Sequence, residues 1–156
     1  MSKSKPPKSY EELEHYLPYL VNRLANLGQA AQNRMLQANN INLVSLRTLS
    51  ILEIEDGLTI NEIAERTFSE QSSTSRAIDA MVSQDIVERR TPDHDQRRRE
   101  VRLTPKGRAQ LHNSWPSMEK YFDRVTAGTT PEDRETCRAV LAQMLENLAQ
   151  SNNWSS

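Results

Sequence analysis

The chain has 156 residues, of which 36% are hydrophobic and 26% are charged, with a formal net charge of −1 and a single cysteine. One cysteine excludes an intramolecular disulfide, and the absence of a signal-peptide core or of roughly 18 to 20 consecutive apolar residues argues against a membrane span, so we expect a cytoplasmic protein. The apolar share is slightly low for a monomer that buries all of its helices, so some apolar faces are expected to need a partner chain.

The N-terminal part of the sequence predicts a leader followed by one long helix. Residues 1–8 are Ser, Lys and Pro after the first Met, which is typical of a disordered leader. Ser9 and Glu12 have the spacing of a capping box, and leucines then recur at alternating steps of three and four. Pro18 lies inside this amphipathic stripe, where proline removes a backbone donor and clashes with the preceding turn, so either a kink or a late helix start is expected. Of the two, we expect the kink.

Three shorter helices are predicted in the middle of the chain. Asn42 can cap the first, which ends at Ile54 before a turn at Gly57. Residues 59–67 begin with the capping box Thr-Ile-Asn-Glu and form a helix of about two turns. The third helix is predicted over roughly Glu70–Gln84 from its apolar spacing. Its inward positions are expected to be Thr74, Ile78, Met81 and Val82.

Two short strands are predicted next, Ile86–Arg90 and Arg99–Leu103, separated by the turn-rich stretch Thr91–Asp95. Thr104 then caps a long helix whose first residue is Pro105. Within that helix, Pro116 is expected to cause a bend.

The C-terminal part of the sequence predicts one further helix. Gly128 ends the preceding helix and Thr130 starts the last one, while Ser151–Ser156 is expected to fray. One face of this last helix carries the apolar stripe Cys137, Leu141, Met144, Leu145 and Leu148.

Positive charge is concentrated in one segment. Between Ile86 and Arg108 there are eight basic residues and four acidic ones, although the whole chain carries a net charge of −1. Two short helices, a tight turn and a strand pair with an arginine-bearing loop predict a mainly α (α+β) fold, a winged helix-turn-helix. Such a module with a local basic surface favours binding to duplex DNA.

Two groups of residues suit the grooves of DNA. The helix Glu70–Gln84 presents small hydroxyl side chains and Arg76, so it can approach the floor of the major groove, where arginine can donate twice to guanine. The loop with Arg97, Arg98 and Arg99 suits the minor groove and its flanking phosphates. Asp79 or Asp95 is expected to orient one of these arginines.

Four segments occur in the order and spacing of a known family: Ile63–Arg66, Ser75–Asp79, Asp95–Arg97 and Leu103–Gly107. Through them, and over about residues 10–150, the chain resembles the multiple antibiotic resistance regulator (MarR) family. The resemblance implies a transcriptional regulator that binds a palindromic operator as a homodimer, here expected to be a repressor that a small-molecule effector releases.

The same resemblance assigns regions and site residues. Residues 41–104 would be the winged helix-turn-helix, and residues 9–40 and 105–150 would be long N- and C-terminal dimerisation helices. Arg97 looks like the wing-tip arginine, and Asn61 would lie near the DNA backbone. The full set of candidate DNA contacts is Asn61, Gln71, Ser72, Ser73, Ser75, Arg76, Arg97, Arg98 and Arg99.

The residues alone leave other interpretations open. Arg97–Arg99 can be a solvated charge cluster, and the serine-rich helix face can be merely exposed. Cys137 is expected to be a buried structural thiol, with redox sensing as the alternative. Several aromatic side chains can pack in the core, at a dimer interface or around a ligand. They are Tyr16, Tyr19, Trp115, Tyr121 and Phe122.

Two other function classes compete with a DNA-binding regulator. The chain can be a protein-interaction module that kept the winged fold and lost DNA binding. An enzyme is disfavoured, because the sequence offers no nucleophile with its base, no phosphate loop and no metal cluster. His15, His94 and His112 lack the paired spacing of metal ligands, so we expect neither a metal nor a cofactor.

Overall fold

The computed structural model describes residues 5–93 and 95–150. The predictions made for residues 1–4 of the leader, for His94 and for residues 151–156 lie outside the described residues. The described chain is mainly helical with one two-stranded sheet, which confirms the predicted fold class. In order, its elements are α1 (Tyr10–Glu14), α2 (Leu17–Leu36), a 3₁₀ turn (Gln37–Asn39), α3 (Leu43–Ile54), α4 (Ile60–Thr67), α5 (Gln71–Ser83), β1 (Val87–Arg90), β2 (Glu100–Leu103), α6 (Pro105–Val125) and α7 (Pro131–Gln150).

The N-terminal helix is broken where a kink was predicted. α1 ends at Glu14 and α2 begins at Leu17, with Pro18 in its first turn. A continuous helix would place the Pro18 ring against the carbonyl of Glu14, whereas the fixed φ of proline suits a first turn. The favoured prediction of a kink was therefore wrong, and the alternative of a late helix start at Pro18 describes α2, which follows the short α1.

The helix-turn-helix follows the predicted caps closely. The side chain of Asn42 accepts a hydrogen bond from the Ser45 backbone N–H at 2.8 Å and starts α3. A full capping box between Thr59 and Glu62 starts α4. Thr74, Ile78 and Met81 on α5 are buried as predicted and Val82 is half-buried, so the opposite face of α5 is left to solvent.

One hydrophobic core unites α3, α4 and α5 with the sheet, the end of α2 and the start of α6. Its buried members are Leu36, Ile41, Leu43, Leu46, Leu49, Leu52, Leu58, Ile63, Ile78, Met81, Ile86, Val87, Val101, Leu103 and Leu111. This core holds α5 and the wing together in one body. No helix within the described ranges is both long and apolar enough to cross a membrane.

The wing is an antiparallel pair in which Val87 faces Leu103 and Arg90 faces Glu100. Each strand begins one residue later than predicted. A third segment was missed, because Leu58 forms an isolated antiparallel bridge with Val101, whose N–H donates to the Leu58 carbonyl at 2.8 Å. The connector before α4 is thereby hydrogen-bonded to the wing.

Thr104 starts α6 as predicted, since its hydroxyl accepts a hydrogen bond from the Gly107 N–H at 3.0 Å. α6 then continues through Pro116 up to Val125. Pro116 is exposed, so water can satisfy the His112 carbonyl that loses its helical donor there.

The described chain divides into two compact units between Tyr121 and Phe122. The second unit contains α7, which begins with a capping box of Thr130 and Asp133. No residue of α7 is buried within the described chain, and its apolar side chains remain exposed. Cys137 is exposed as well, so the prediction of a buried thiol does not hold in the single chain.

Phe68, the C-cap of α4, is the basis of a stability prediction. It has a φ of 51° in the left-handed region and its side chain is 92% exposed. Left-handed backbone is costly for a bulky residue, and a ring this exposed adds little packing. We expect Phe68→Gly to raise the free energy of unfolding by about 0.5–1 kcal/mol in urea titrations. Phe68→Ala, which keeps a Cβ, should give no such gain, and equal gains for both variants would refute the strain.

Candidate nucleic-acid interface

The outer face of α5 carries short polar side chains and one arginine. Because Thr74 and Ile78 point into the core, Ser72, Ser73 and Arg76 are left exposed, while Ser75 is half-buried. The buried Thr74 hydroxyl donates to the Glu70 carbonyl at 3.1 Å, so the inward side needs no further polar partner. The Arg76 side chain has no hydrogen-bond or ion-pair partner among the described residues, which leaves its five donors available to a ligand.

The N-terminus of α5 is also open. Its N-cap residue is Glu70, whose side chain makes no capping hydrogen bond within the described chain. The first backbone N–H groups of a helix lack intrahelical acceptors and carry partial positive charge, so they attract anions such as phosphate. Gln71 lies in this first turn and is exposed, in a position to contact the same anion.

The three adjacent arginines of the wing have different surroundings. The side chain of Arg97 is exposed and, in the described part of the chain, makes no hydrogen bond or ion pair. Arg99 donates from one nitrogen to the Thr91 hydroxyl at 2.8 Å and to the Gln96 carbonyl at 2.9 Å, which braces the loop. Arg97 therefore has more freedom than Arg99 to enter a groove.

Arg98 requires a correction, because the structure turns it away from the predicted DNA-binding role. Its guanidinium contacts Glu62 of α4 at 2.9 Å and Glu100 of β2 at 3.1 Å, and it donates to the Gly57 carbonyl at 3.2 Å. Arg97 lies in the turn between the strands, whereas Arg98 follows this turn and leads toward β2. The Arg98 N–H closes the turn by donating to the Asp95 carbonyl at 3.2 Å, and the Arg98 side chain points toward α4.

The two aspartates predicted to orient wing arginines act differently. Asp79 on α5 pairs with Arg89 of β1 at 2.5 Å, so it contacts the base of the wing and none of the arginines in the loop. Asp95 accepts a hydrogen bond from the backbone N–H of Arg97 at 3.0 Å, which shapes the turn. Of the two aspartates, Asp95 is therefore the one that contacts the arginine loop, through the backbone of Arg97, whereas Asp79 contacts an arginine of β1.

An ion network between the wing and the connector before α4 was not predicted from the sequence. Glu100 accepts from Arg102 at 2.8 Å on one side and from Arg98 on the other. Arg102 also lies 3.8 Å from Asp56 in the connector. The signal for part of it was visible as charges of alternating sign two residues apart, in Arg98, Glu100 and Arg102.

Asn61 is the remaining candidate for a DNA contact. Asn61 is exposed in the first turn of α4, as a contact to the DNA backbone would require. Across residues 5–93 and 95–150, no group of three or more His, Cys, Asp or Glu side chains could hold a metal ion.

A cavity of about 280 Å³ lies between the start of α3 and α5. Its polar lining residues are Gln37, Asn40, Asn42, Ser45 and Gln84, and its apolar ones are Ile41, Ala77, Ala80, Met81 and Ile86. Ser45 is 8% exposed, and its hydroxyl has no hydrogen-bond partner among the described residues. This oxygen is not among the fully enclosed side-chain atoms without a partner, so water or a ligand in the cavity can reach it and hydrogen-bond to it.

Two carboxyls that pair with Arg98, those of Glu62 and Glu100, have lowered pKa values. Hydrogen bonds from the Thr59 backbone and hydroxyl, and then from Arg98, lower the pKa of Glu62. Arg102 and then Arg98 lower the pKa of Glu100, against the opposing effect of burial. A lowered folded-state pKa stabilises the fold above the ordinary value of 4.5, and this contribution is lost as pH falls through the folded-state pKa.

Glu100→Gln is therefore expected to destabilise the fold at pH 7, and the deficit should shrink as pH falls below 4.5. The amide has the shape of the carboxyl but no charge for Arg98 and Arg102. Urea midpoints of both proteins between pH 7 and pH 3 measure the deficit. A deficit of constant size across this range would contradict the ionic origin of the stabilisation.

Comparisons with known proteins agree with this geometry. A model of the MarR family matches residues 39–98, which include α3, α4, α5 and the arginine loop as far as Arg98. A solved structure of a MarR-family transcriptional regulator from Silicibacter pomeroyi has a TM-score of 0.76 and 37% sequence identity, and covers 90% of this chain and 96% of that one.

Two curated proteins show weaker similarity. The uncharacterized HTH-type transcriptional regulator YdgJ of Bacillus subtilis is 26% identical over 103 residues, which are 66% of this chain and 63% of that protein. The transcriptional repressor MprA of Escherichia coli is 24% identical over 121 residues, 76% of this chain and 69% of that protein. Identity of 37% across nine-tenths of the chain, together with the match over the helix-turn-helix, means that the chain belongs to the MarR family of transcriptional regulators.

Proposed function

We propose that the chain is a sequence-specific DNA-binding transcriptional regulator without catalytic activity, which acts as a homodimer on a palindromic operator. The observation that carries this proposal is the exposed face of α5, where small hydroxyl side chains surround an arginine that has no partner within the described chain. Short side chains let a helix lie deep in the major groove, and arginine can pair with both acceptors of guanine.

The site residues divide by role in this proposal. Arg76 reads bases, while Arg97 enters the minor groove beside the half-site. Arg99 and Asn61 contact phosphates, and Arg98 is assigned to holding the wing. The residues that accompany Arg76 at the major groove and its backbone are Gln71, Ser72, Ser73 and Ser75.

A second copy of the chain is the proposed cover for the exposed apolar helices. α2 exposes Leu17, Leu20, Val21, Leu24 and Leu27, and α7 exposes Val140, Leu141, Met144, Leu145 and Leu148. Stripes of this size on a monomer mark interaction surfaces. We therefore assign residues 9–40 and 105–150 to dimerisation and residues 41–104 to DNA binding. The twofold axis of such a dimer would match a palindromic operator.

We propose that the protein is a repressor that a small molecule releases from DNA. The similarity to the transcriptional repressor MprA supports repression over activation. The cavity beside α5 is the proposed effector site, because a ligand bound there would contact Ala77 and Ala80 of the helix that is proposed to read DNA. Amides and the unpartnered Ser45 hydroxyl favour an uncharged ligand with hydrogen-bonding groups. Ser45→Val should keep DNA affinity and weaken the response to a ligand found by thermal-shift screening. An undiminished response would place the ligand elsewhere.

Selection from a random duplex pool tests the proposed function. We expect enrichment of an inverted repeat whose half-sites are about 10 base pairs apart, one helical turn. Leu24→Glu, which places a charge on the proposed dimer face, should yield monomers that no longer select the repeat. Failure of the folded wild type to enrich any sequence would favour the protein-interaction module instead.

A further inference from the structure

A line of five alternating charges ties the wing to the first helix of the helix-turn-helix. In order they are Glu62, Arg98, Glu100, Arg102 and Asp56. Glu62 belongs to α4, Glu100 and Arg102 to β2, and Asp56 to the connector between α3 and α4. The connector is also bonded to β2 directly, since Asp56 accepts from the Leu103 N–H at 2.8 Å.

Glu62 takes part both in the capping box of α4 and in the ion pair with Arg98. One of its oxygens accepts from the Thr59 backbone N–H at 2.7 Å, which completes the capping box of α4. The same oxygen accepts from Arg98 at 2.9 Å, and its other oxygen lies 3.4 Å from the neighbouring nitrogen of that guanidinium. This fork-to-fork contact fixes the guanidinium in direction as well as in distance.

The centre of the line is enclosed. The Glu100 side chain is 9% exposed, and a carboxylate that deeply buried stays charged only when cations pair with it. Gly57, with a φ of 79°, packs against this carboxylate so closely that a Cβ would lie 3.0 Å from its oxygen. The connector, α4 and β2 therefore meet at one packed junction.

We propose that Glu62 is a positioning residue for DNA recognition, which acts through Arg98 to set the place of the wing relative to α5. Arg97 is adjacent to Arg98 in the chain, so a guanidinium anchored on α4 also fixes the backbone that carries Arg97. α4 packs on α5 within the same core. The ion pair between Arg98 and Glu62 therefore fixes the position of the wing relative to α5. Glu62 itself contacts no DNA in this proposal, which rests on the proposed DNA binding.

A double-mutant cycle on a selected operator tests the coupling. Glu62→Gln keeps the cap, because glutamine serves in a capping box, but it turns an amide nitrogen or an uncharged oxygen toward Arg98. We expect Glu62→Gln to weaken operator binding about tenfold. In that background Arg97→Ala should have little further effect, whereas Arg76→Ala should keep its full effect, because additivity fails between residues that act as one unit.

Two further variants separate positioning from stability. Thr59→Ala removes the capping hydroxyl and leaves Arg98 its carboxylate, so it should lower the melting temperature without changing the effect of Arg97→Ala. Arg98→Lys keeps the positive charge but lacks the paired nitrogens of the guanidinium, so it should weaken operator binding as Glu62→Gln does. It replaces Glu62→Gln in the cycle if that variant does not fold. If the wild type binds DNA and Arg97→Ala weakens operator binding equally in the wild-type and Glu62→Gln backgrounds, this inference is overturned while the proposed function stands. If the folded wild type binds no duplex, both are overturned.

Discussion

Gly107→Ala is expected to lower the free energy of unfolding by about 3 kcal/mol, the upper end for overpacking a tight core. A Cβ at Gly107 would collide with the backbone carbonyl oxygen of Ile86 and would lie 2.9 Å from a methyl of Leu103. The Ile86 carbonyl cannot move aside easily, since it accepts from both the N–H and the hydroxyl of Thr104. Chemical unfolding by urea, followed by circular dichroism, measures the loss.

A matched control for this prediction lies on the same helix. Asn113 is exposed on α6, so Asn113→Ala should change stability by no more than about 0.5 kcal/mol. A Gly107→Ala protein as stable as the Asn113→Ala protein would mean that α6 does not approach the wing at this distance.

Arg76→Ala is expected to weaken binding to a selected operator by about 1–3 kcal/mol, or roughly 5- to 150-fold. The reason is the proposed bidentate contact with guanine, which alanine cannot replace. Discrimination against a changed base pair should fall at one position of each half-site, while affinity for unrelated duplex should change much less. Fluorescence anisotropy with the operator and single-substitution duplexes measures both effects.

Arg66→Ala provides the comparison, because it removes the same charge from an exposed arginine of α4. Arg66 is already paired with Glu55 at 2.9 Å, and no base contact is assigned to it. Its loss should affect the operator and unrelated duplex alike. Equal losses of discrimination in the two variants would remove Arg76 from the base-reading role.

The local part of the fold could be predicted from the sequence. Helix starts depend on a side-chain hydroxyl or amide just before the helix, and the cap at Asn42 was found this way. At Thr59 and Thr130 an acid three residues later strengthened the prediction. The inward face of α5 followed from apolar spacing in the same manner. At Pro18 the sequence allowed a kink or a late helix start, and only the surrounding backbone decides between them.

Contacts between distant residues could not be predicted. Nothing in the run Arg97–Arg99 says that the middle arginine reaches Glu62, which lies 36 positions earlier in the chain. The bond between Asp79 and Arg89 and the bridge from Leu58 to Val101 depend equally on how helices and strands pack. The exposure of Cys137 shows the same limit, because an apolar stripe does not tell whether its own chain covers it.

The most direct test of DNA recognition by α5 and the wing is the salt dependence of binding by the folded wild type. Each neutralised phosphate contributes a slope of about −0.9 to a plot of log affinity against log salt. Because a dimer would place Arg97, Arg99 and the open end of α5 on the duplex twice, we predict a slope of about −4 or steeper between roughly 50 and 200 mM salt. A slope near zero, or no binding to the operator or to a random pool at the lowest salt, would contradict the account.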